Sequence, residues 1–260
     1  MSDWLSILVL GLIEGITEFL PVSSTGHLLL AEHWLGHRSE LFNVVIQSGA
    51  VLAVLTVFLR RVVDLFVRWR LPENKDYLMK LVGAFVITAI GGLALKKAGL
   101  LDLKADPVPV AWATLIGGIL FLVVEYALKN RKPIETVGWN VAIAVGFAQL
   151  LAAGFPGTSR SGAAILFALA LGLSRSAATE FAFLVGIPTL LAAGAKEIWD
   201  FRKDPTAHEP WSLILLGCLV AAVSAFVVVR WLLGYVRNHK FTGFAIYRII
   251  LGVTILILLR

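Results

Sequence analysis

Long apolar runs are the feature that most limits what this chain can fold into. Such runs lie at 44–59, 81–95, 108–124, 213–229 and 241–259. Each approaches the length of about 20 residues with which a helix crosses a hydrocarbon layer about 30 Å thick. Hydrophobic residues make up 58% of the chain and charged residues 15%. A soluble domain typically contains about 45–50% apolar residues and about 25% charged residues. The pattern therefore predicts an all-α integral membrane protein.

The distribution of charge argues against a nucleic-acid partner, although the net charge is +6. The basic residues lie mainly in short connections between apolar runs, and those at about 60–80, 129–132 and 230–240 carry most of them. An excess of Lys and Arg marks cytoplasmic loops, so these three connections are predicted to face the cytoplasm. No basic residue precedes the first apolar run, and we expect no cleavable signal peptide. The single cysteine, Cys218, cannot form an intramolecular disulfide.

Proline and glycine breaks divide the chain into about ten helical pieces. Six pieces are long enough to span a bilayer, at about 41–61, 78–98, 107–129, 175–199, 211–236 and 240–259. Four pieces are short and form two pairs hinged at a proline, about 4–20 with 24–36 and about 137–154 with 160–172. We interpret each short pair as a re-entrant helix hairpin.

The two hairpins resemble each other. Segment 11–27, GLIEGITEFLPVSSTGH, aligns with segment 146–162, GFAQLLAAGFPGTSRSG, at a constant offset of 135 residues. The alignment pairs Gly11 with Gly146, Glu14 with Gln149, Pro21 with Pro156 and Ser24 with Ser159. Three spans follow each hairpin, so we expect one membrane domain over 1–260 with halves at about 1–130 and 131–260. An odd number of spans in each half makes the repeat inverted, with both hairpin tips inside the membrane.

Two acidic residues lie within the first hairpin. Glu14 and Glu18 are four residues apart and therefore share one face of a helix. Ionisable groups at membrane depth are costly and usually face the protein interior or a cavity. Two adjacent carboxylates would share a proton or a divalent cation. An interfacial position, or pairing with an arginine, is the alternative.

The residues after each hinge proline predict an anion site. SSTGH follows Pro21 and TSRSG overlaps the turn after Pro156, so each opens a short helix whose N-terminus offers free N–H groups. Arg160 adds a permanent cation suited to phosphate oxygens, with pairing to an acid as a compatible alternative. The predicted phosphate-binding residues are Ser23, Thr25, Gly26, Ser159, Ser161 and Gly162. The hydroxyls there, with that of Thr158, could instead be helix N-caps.

The histidines and one further arginine give less specific indications of function. His27, three residues after Ser24, can act as acid, base or nucleophile near neutral pH. The other four histidines, at 33, 37, 208 and 239, are better explained by solvation near helix ends. Arg248 is expected to pair with Glu125 or Glu180 as a structural clamp.

Two glutamines are open to either of two interpretations. Gln47 and Gln149 lie in predicted helices and could line the cavity between the hairpin tips. Either could as readily form a hydrogen bond between helices.

The motifs EGITEFLPVSSTGH and PGTSRSG, with FAIYR at 244–248, resemble those of the undecaprenyl-diphosphate phosphatase, or bacitracin-resistance, family. The resemblance runs over essentially the whole chain. It implies hydrolysis of the polyprenyl lipid undecaprenyl diphosphate to the monophosphate carrier that peptidoglycan synthesis reuses. It also implies a multi-pass protein of the bacterial inner membrane, surrounded by membrane lipids, with its active site open to the periplasm. A homo-oligomer is left open.

The family resemblance also implies roles for individual residues. Glu18, Ser24, His27 and Arg160 would be catalytic, and Glu14 with Glu18 would hold a divalent cation, Mg²⁺ or Ca²⁺. Three routes stay open for the nucleophile: Ser24 activated by His27, direct attack by His27, or water activated by Glu18. Some relatives carry a threonine four residues after the arginine, where this chain has Ala164.

Two other functions compete with phosphatase activity. Inverted repeats with broken helices are common in transporters, so a polyprenyl-phosphate transporter or flippase without hydrolytic activity is the alternative. The lipid-phosphatase superfamily related to vanadium haloperoxidases requires an Arg followed by His and Asp on one helix. SGAAILFALALGL follows Arg160 here and contains neither.

Overall fold

The computed structural model describes residues 3–99, 106–203 and 210–259. These residues form eleven α-helices and one isolated β-bridge between Ile134 and Leu173. The helices are α1 Asp3–Thr17, α2 Ser24–Leu35, α3 Glu40–Val57, α4 Leu59–Val67, α5 Pro72–Lys97, α6 Pro107–Ala127, α7 Trp139–Gly154, α8 Arg160–Ala170, α9 Arg175–Phe201, α10 Trp211–Tyr235 and α11 Thr242–Leu258. The predicted all-α class is confirmed for the described residues.

Five helices, α3, α5, α6, α9 and α10, are long and apolar enough to cross a membrane. The sixth predicted span, about 240–259, corresponds to α11, which is apolar but has 17 residues. α9 lies at the centre of the bundle, since 61% of its apolar window is buried, whereas 11% of the α5 window is buried. The exposed side of α5 carries apolar side chains such as Val82, Ile90 and Leu93. Such a surface suits lipid better than water, as expected of a multi-pass membrane protein.

The four short predicted pieces correspond to α1, α2, α7 and α8, with boundaries within three residues of those predicted. α1 packs against α3 and α10, while α7 packs against α5. α8 packs against α7 and α9, and α6 packs along α11. The turns after α1 and α7 are thus surrounded by helices from distant parts of the chain.

Helix α4 was not expected, and the predicted end of the first span at residue 61 is wrong. α3 ends at Val57, and α4 begins two residues later at Leu59. α4 is amphipathic: Leu65 is buried, whereas Arg60 and Phe66 are exposed. Hydropathy alone does not reveal this boundary, because the apolar residues continue through the bend at Phe58.

Glycines allow α1 and α3 to lie close to α10. A Cβ atom on Gly15 would lie 2.3 Å from the carbonyl oxygen of Ala221, and one on Gly49 would lie 2.7 Å from Cα of Cys218. Small residues permit this approach of helix backbones in membrane proteins. The contact fixes α1, and with it the acidic residues at its C-terminal end.

Candidate active site

Two serines mark the turns at which the hairpins change direction. Ser23 precedes α2 with φ 73°, and Ser159 precedes α8 with φ 68°. They are the two non-glycine residues with positive φ in the described part of the chain. Such a conformation costs about 1 kcal/mol or more, and it is found often at functional sites. Each serine hydroxyl caps its helix by accepting an N–H bond, from Gly26 at 3.3 Å and from Gly162 at 3.1 Å.

The caps place two residues of different chemistry at equivalent positions. Ser23 and Ser159 lie 136 residues apart, one more than the offset that pairs Ser24 with Ser159 in the sequence. Ser24 and Arg160 are therefore the first residues of α2 and α8. One hairpin presents a hydroxyl where the other presents a cation.

The two turns touch each other through Ser161. Its hydroxyl lies 2.9 Å from the carbonyl oxygen of Glu18 and 3.1 Å from that of Leu20. Ser159 and Ser161 hydroxyl oxygens lie 3.3 Å apart. The hydroxyl of Thr158 donates to the Phe155 carbonyl at 2.7 Å. Most predicted phosphate-binding hydroxyls therefore already have a backbone partner in the turns.

Ser24 differs from these hydroxyls because its partner is a carboxylate. Its hydroxyl donates to Oε2 of Glu18 at 2.6 Å, and both side chains are buried. A short hydrogen bond to a carboxylate is among the stronger kinds and holds the serine proton next to a base. The sequence left three nucleophile routes open, and none of them paired Ser24 with Glu18. This contact favours Ser24 as nucleophile with Glu18, rather than His27, as its base.

Glu14 lies one helical turn before Glu18 and is completely buried. Neither of its carboxylate oxygens has a hydrogen-bond partner among the described residues. The Glu18 carboxylate repels a negative charge on Glu14, and the positive charge of Arg160 attracts it. A buried carboxylate without a donor is costly, so a ligand that supplies positive charge would be stabilised there.

The acid pair fits a divalent cation in part. No cluster of three or more His, Cys, Asp or Glu side chains arranged as metal ligands occurs within 3–99, 106–203 and 210–259. Glu14 and Glu18 would therefore supply two carboxylates, and water or substrate oxygens would complete the shell. Mg²⁺ is commonly bound in this way, by one or two carboxylates plus phosphate oxygens.

Among the described residues, the Arg160 side chain has few hydrogen-bond partners. Within the described chain its one recorded hydrogen bond runs from Nη2 to Oε1 of Gln47, at a long 3.4 Å. Gln47 thus faces the site. Gln149, which aligns with Glu14, is buried, and its two amide atoms find no partner among the described residues.

Neither ring nitrogen of His27 forms its hydrogen bond with the Ser24 hydroxyl. Its Nδ1 lies 2.7 Å from the Ser23 carbonyl oxygen, and its Nε2 lies 2.7 Å from the hydroxyl of Tyr247. Sequence reasoning did not single out Tyr247, although it lies within the FAIYR segment. The side chain of Thr25 is partly buried on the same first turn of α2.

Arg248 holds both turns from behind, and its expected pairing with Glu125 or Glu180 is wrong. The side chain is completely buried and donates to backbone carbonyl oxygens. Those oxygens belong to Thr114 at 3.1 Å, Pro21 at 3.2 Å, Thr158 at 3.0 Å, and Gly157 and Ala113 at 3.4 Å. Glu125 instead pairs with Arg175, and Glu180 pairs with Arg61. Arg248 is a clamp, but it joins the two hairpin turns rather than balancing an acid.

Replacing Arg248 with lysine should loosen both turns. An ammonium group keeps the charge but cannot reach several carbonyl oxygens as a planar guanidinium does. Buried carbonyls left unsatisfied cost about 1–3 kcal/mol each, so we expect a fall of several degrees in apparent unfolding temperature in detergent, with loss of activity. Arg131→Lys is the control, because Arg131 is exposed. An unchanged unfolding temperature in Arg248→Lys would contradict the clamp.

Comparison with known proteins agrees with the motifs. The sequence model of the family described as "Bacitracin resistance protein BacA" matches residues 7–254. A Rhizobium etli protein named undecaprenyl-diphosphatase is 54% identical over 256 residues, covering 98% of this chain and 96% of the relative. Proteins of the same name from Xylella fastidiosa (strain 9a5c) and Xanthomonas campestris pv. campestris (strain 8004) are 52% and 49% identical, and each alignment covers at least 98% of both chains. The chain belongs to the bacitracin resistance protein BacA family.

Proposed function

We propose that this protein is a membrane phosphatase that hydrolyses undecaprenyl diphosphate to undecaprenyl phosphate and inorganic phosphate. The observation that carries the proposal is the 2.6 Å contact between the Ser24 hydroxyl and the Glu18 carboxylate. This contact lies at the N-terminus of α2, and Arg160 begins α8 across the joined turns. The relatives, which align with this chain over nearly their full length, are named undecaprenyl-diphosphatase, and that name supports this substrate.

The proposed reaction is a phosphoryl transfer through Ser24. The Ser24 oxygen attacks the terminal phosphorus while Glu18 accepts the hydroxyl proton. The bond from that phosphorus to the bridging oxygen breaks, and undecaprenyl phosphate leaves. Glu18 passes the serine proton to the departing undecaprenyl phosphate and becomes a base again. It then takes a proton from the water that attacks the phosphoserine and returns it to the serine oxygen as inorganic phosphate is released. Arg160 stabilises the charge on the phosphate oxygens, which is where protein groups contribute most in this chemistry.

We propose that Glu14 and Glu18 hold a divalent cation, Mg²⁺ or Ca²⁺. The unpartnered oxygens of Glu14 support this assignment. When bound, such an ion would neutralise the negative charge of the diphosphate oxygens. It would also offset the repulsion between the two carboxylates and the anionic substrate.

We propose that the chain forms six spans and two re-entrant hairpins in an inverted repeat, with halves at about 1–130 and 131–260. The packing supports this arrangement: α1 lies against α10 as α7 lies against α5, and α6 pairs with α11. The excess of Lys and Arg supports a cytoplasmic position for the 60–80 connection. In the bacterial inner membrane this orientation would open the site to the periplasm, where the carrier lipid is released for reuse in peptidoglycan synthesis. The description of the family supports a role in bacitracin resistance.

Purified protein should release phosphate from undecaprenyl diphosphate in detergent, and chelation of divalent cations should abolish that release. The acid pair would then repel the diphosphate, since its counter-charge is gone. Adding Mg²⁺ or Ca²⁺ back should restore turnover. The assay needs a chelated and re-metallated sample from one preparation, so that loss of folding is excluded.

Each outcome of this assay has a distinct meaning. No phosphate release under any metal condition would eliminate the phosphatase and favour a polyprenyl-phosphate transporter. Full activity after chelation would eliminate the cation at Glu14 and Glu18. The same reaction is divided in two, with one part quenched in acid, which preserves phosphoserine, and the other in base, which preserves phosphohistidine. Mass spectrometry is then expected to find phosphate on Ser24. Phosphate on His27 would instead make the histidine the nucleophile.

A further inference from the structure

Tyr247 contacts a candidate catalytic side chain that lies 220 residues away in sequence. Its hydroxyl oxygen lies 2.7 Å from Nε2 of His27. The two rings are also stacked, with centroids 5.5 Å apart and planes inclined by 11°. Tyr247 precedes Arg248 on α11, so neighbouring residues of one helix hold the His27 ring and the backbone of both turns.

The hydrogen bonds of His27 fix the position of one proton on its ring. A carbonyl oxygen accepts hydrogen bonds and cannot donate, so Nδ1, which faces the Ser23 carbonyl at 2.7 Å, carries a proton. In the neutral ring Nε2 is then an acceptor, and the Tyr247 hydroxyl donates to it. In the charged ring Nε2 donates and the tyrosine oxygen accepts. A hydroxyl is thus a partner that serves both protonation states.

The hydrogen bond between Tyr247 and His27 is not required to satisfy the tyrosine hydroxyl. Tyr247 is 46% exposed, so the packing of the protein does not confine its hydroxyl to this one partner. His27, by contrast, has Nε2 as its remaining ring nitrogen, since Nδ1 is bound to the backbone. The benefit of the contact falls on His27.

We propose that Tyr247 is a positioning residue for His27, holding the ring in the Nδ1–H tautomer with Nε2 as the nitrogen that exchanges protons during turnover. The proposal rests on the phosphatase function proposed above. Ser24 already has Glu18 as its base, which leaves His27 to serve the phosphate or its leaving group. A partner that fixes the tautomer and orientation of a catalytic histidine is a common arrangement in enzymes.

Replacing Tyr247 with phenylalanine should keep the stacked ring and remove only the hydroxyl. We expect kcat for undecaprenyl diphosphate to fall about tenfold, with KM within about twofold of wild type, since acid–base groups act on the chemical step. In a His27→Ala background the same substitution should lower kcat no further, because the tyrosine acts through the histidine. An equal loss in both backgrounds would overturn the proposal.

Tyr235→Phe is the matched control. Tyr235 also stacks on a histidine, His239, with ring centroids 4.4 Å apart and planes at 14°, but this pair lies at the C-terminal end of α10, away from the two turns. The kcat of Tyr235→Phe should equal that of wild type. A tenfold loss in Tyr235→Phe would mean that kcat responds to the removal of any such tyrosine hydroxyl, and would overturn the assignment to His27.

Nitrogen-15 NMR tests the contact independently of activity. In histidine-labelled protein the His27 signals are those that disappear in His27→Ala. We expect the Nδ1–H tautomer in wild type and a shifted Nε2 signal in Tyr247→Phe, with no shift in Tyr235→Phe. An Nε2 signal that does not move in Tyr247→Phe would overturn the proposal even where His27→Ala is too weak for kinetics. Absence of phosphate release from wild type would reject the phosphatase function alone, since the NMR comparison still reports on the contact.

Discussion

Glu18→Gln should lower the rate of phosphate release from undecaprenyl diphosphate by about a thousandfold or more. The amide oxygen of glutamine can still accept the Ser24 hydroxyl, so the geometry of the 2.6 Å contact is kept. The charge and the basicity are lost, and with them both the acceptor for the serine proton and one of the two carboxylates that we propose as ligands of a divalent cation. General-base removal alone costs about 10²–10⁴-fold. Initial rates in detergent, with equal amounts of monodisperse protein, measure the effect.

A second serine–glutamate pair in the same chain provides the control. The Ser174 hydroxyl donates to Oε2 of Glu135 at 2.8 Å, and Ser174 caps α9. Glu135→Gln makes the same chemical change to the same kind of contact, outside the two hairpin turns. It should keep close to wild-type turnover. Comparable losses in the two variants would show that the Glu18 effect comes from weakened folding, and substantial activity in Glu18→Gln would remove Glu18 as the base.

Arg160→Ala should reduce kcat/KM by about a thousandfold while leaving the fold intact. A cation that stabilises transferring phosphoryl oxygens is worth about 10³–10⁵ in rate in related chemistry. Its one recorded contact in the described residues is the 3.4 Å bond to Gln47, so its removal breaks little internal structure. Turnover and apparent unfolding temperature, measured on one preparation, separate the two effects.

Arg61→Ala is the companion substitution for Arg160. Arg61 also forms a hydrogen bond with a side chain from a distant helix, Glu180, at 3.1 Å, and it is partly exposed. Its guanidinium lies over the Tyr77 ring as well, 4.8 Å from the centroid. Because this ion pair lies away from the turns, we expect near-normal turnover. Arg160→Lys should recover part of the activity, since an ammonium keeps the charge without the bidentate fork. Wild-type turnover in Arg160→Ala would rule out Arg160 as the central phosphate ligand.

The elements that could be predicted from sequence are those that depend on neighbouring residues. The two hinge prolines, at 21 and 156, divide apolar segments into short helices whose observed ends lie within three residues of those expected. The four-residue spacing of Glu14 and Glu18 places them on one helix face, whatever surrounds that helix. α4 was missed because the apolar residues continue through Phe58 and Leu59, so no glycine, proline or polar residue marks the point where α3 ends.

The partners of the polar residues could not be predicted in the same way. Activation of Ser24 by His27 was one of three routes that the sequence left open. The structure places Glu18 at 2.6 Å from that hydroxyl and Tyr247 at 2.7 Å from the histidine. Arg248 was expected to meet an acid, since a buried cation usually needs one. It meets carbonyl oxygens instead, because its helix passes behind two turns whose carbonyl oxygens lack intrahelical N–H donors.

The sequence by itself determined the membrane-spanning class, the two broken hairpins and the residue types at their turns, since hydropathy, helix periodicity and proline geometry act over a few residues. Only the tertiary structure decided which of those residues meet. Ser161 reaches Glu18 from 143 positions away, and Arg248 reaches Pro21 from 227 positions away. Contacts of that range depend on how all the helices pack together, because helix packing sets the depth at which each turn ends.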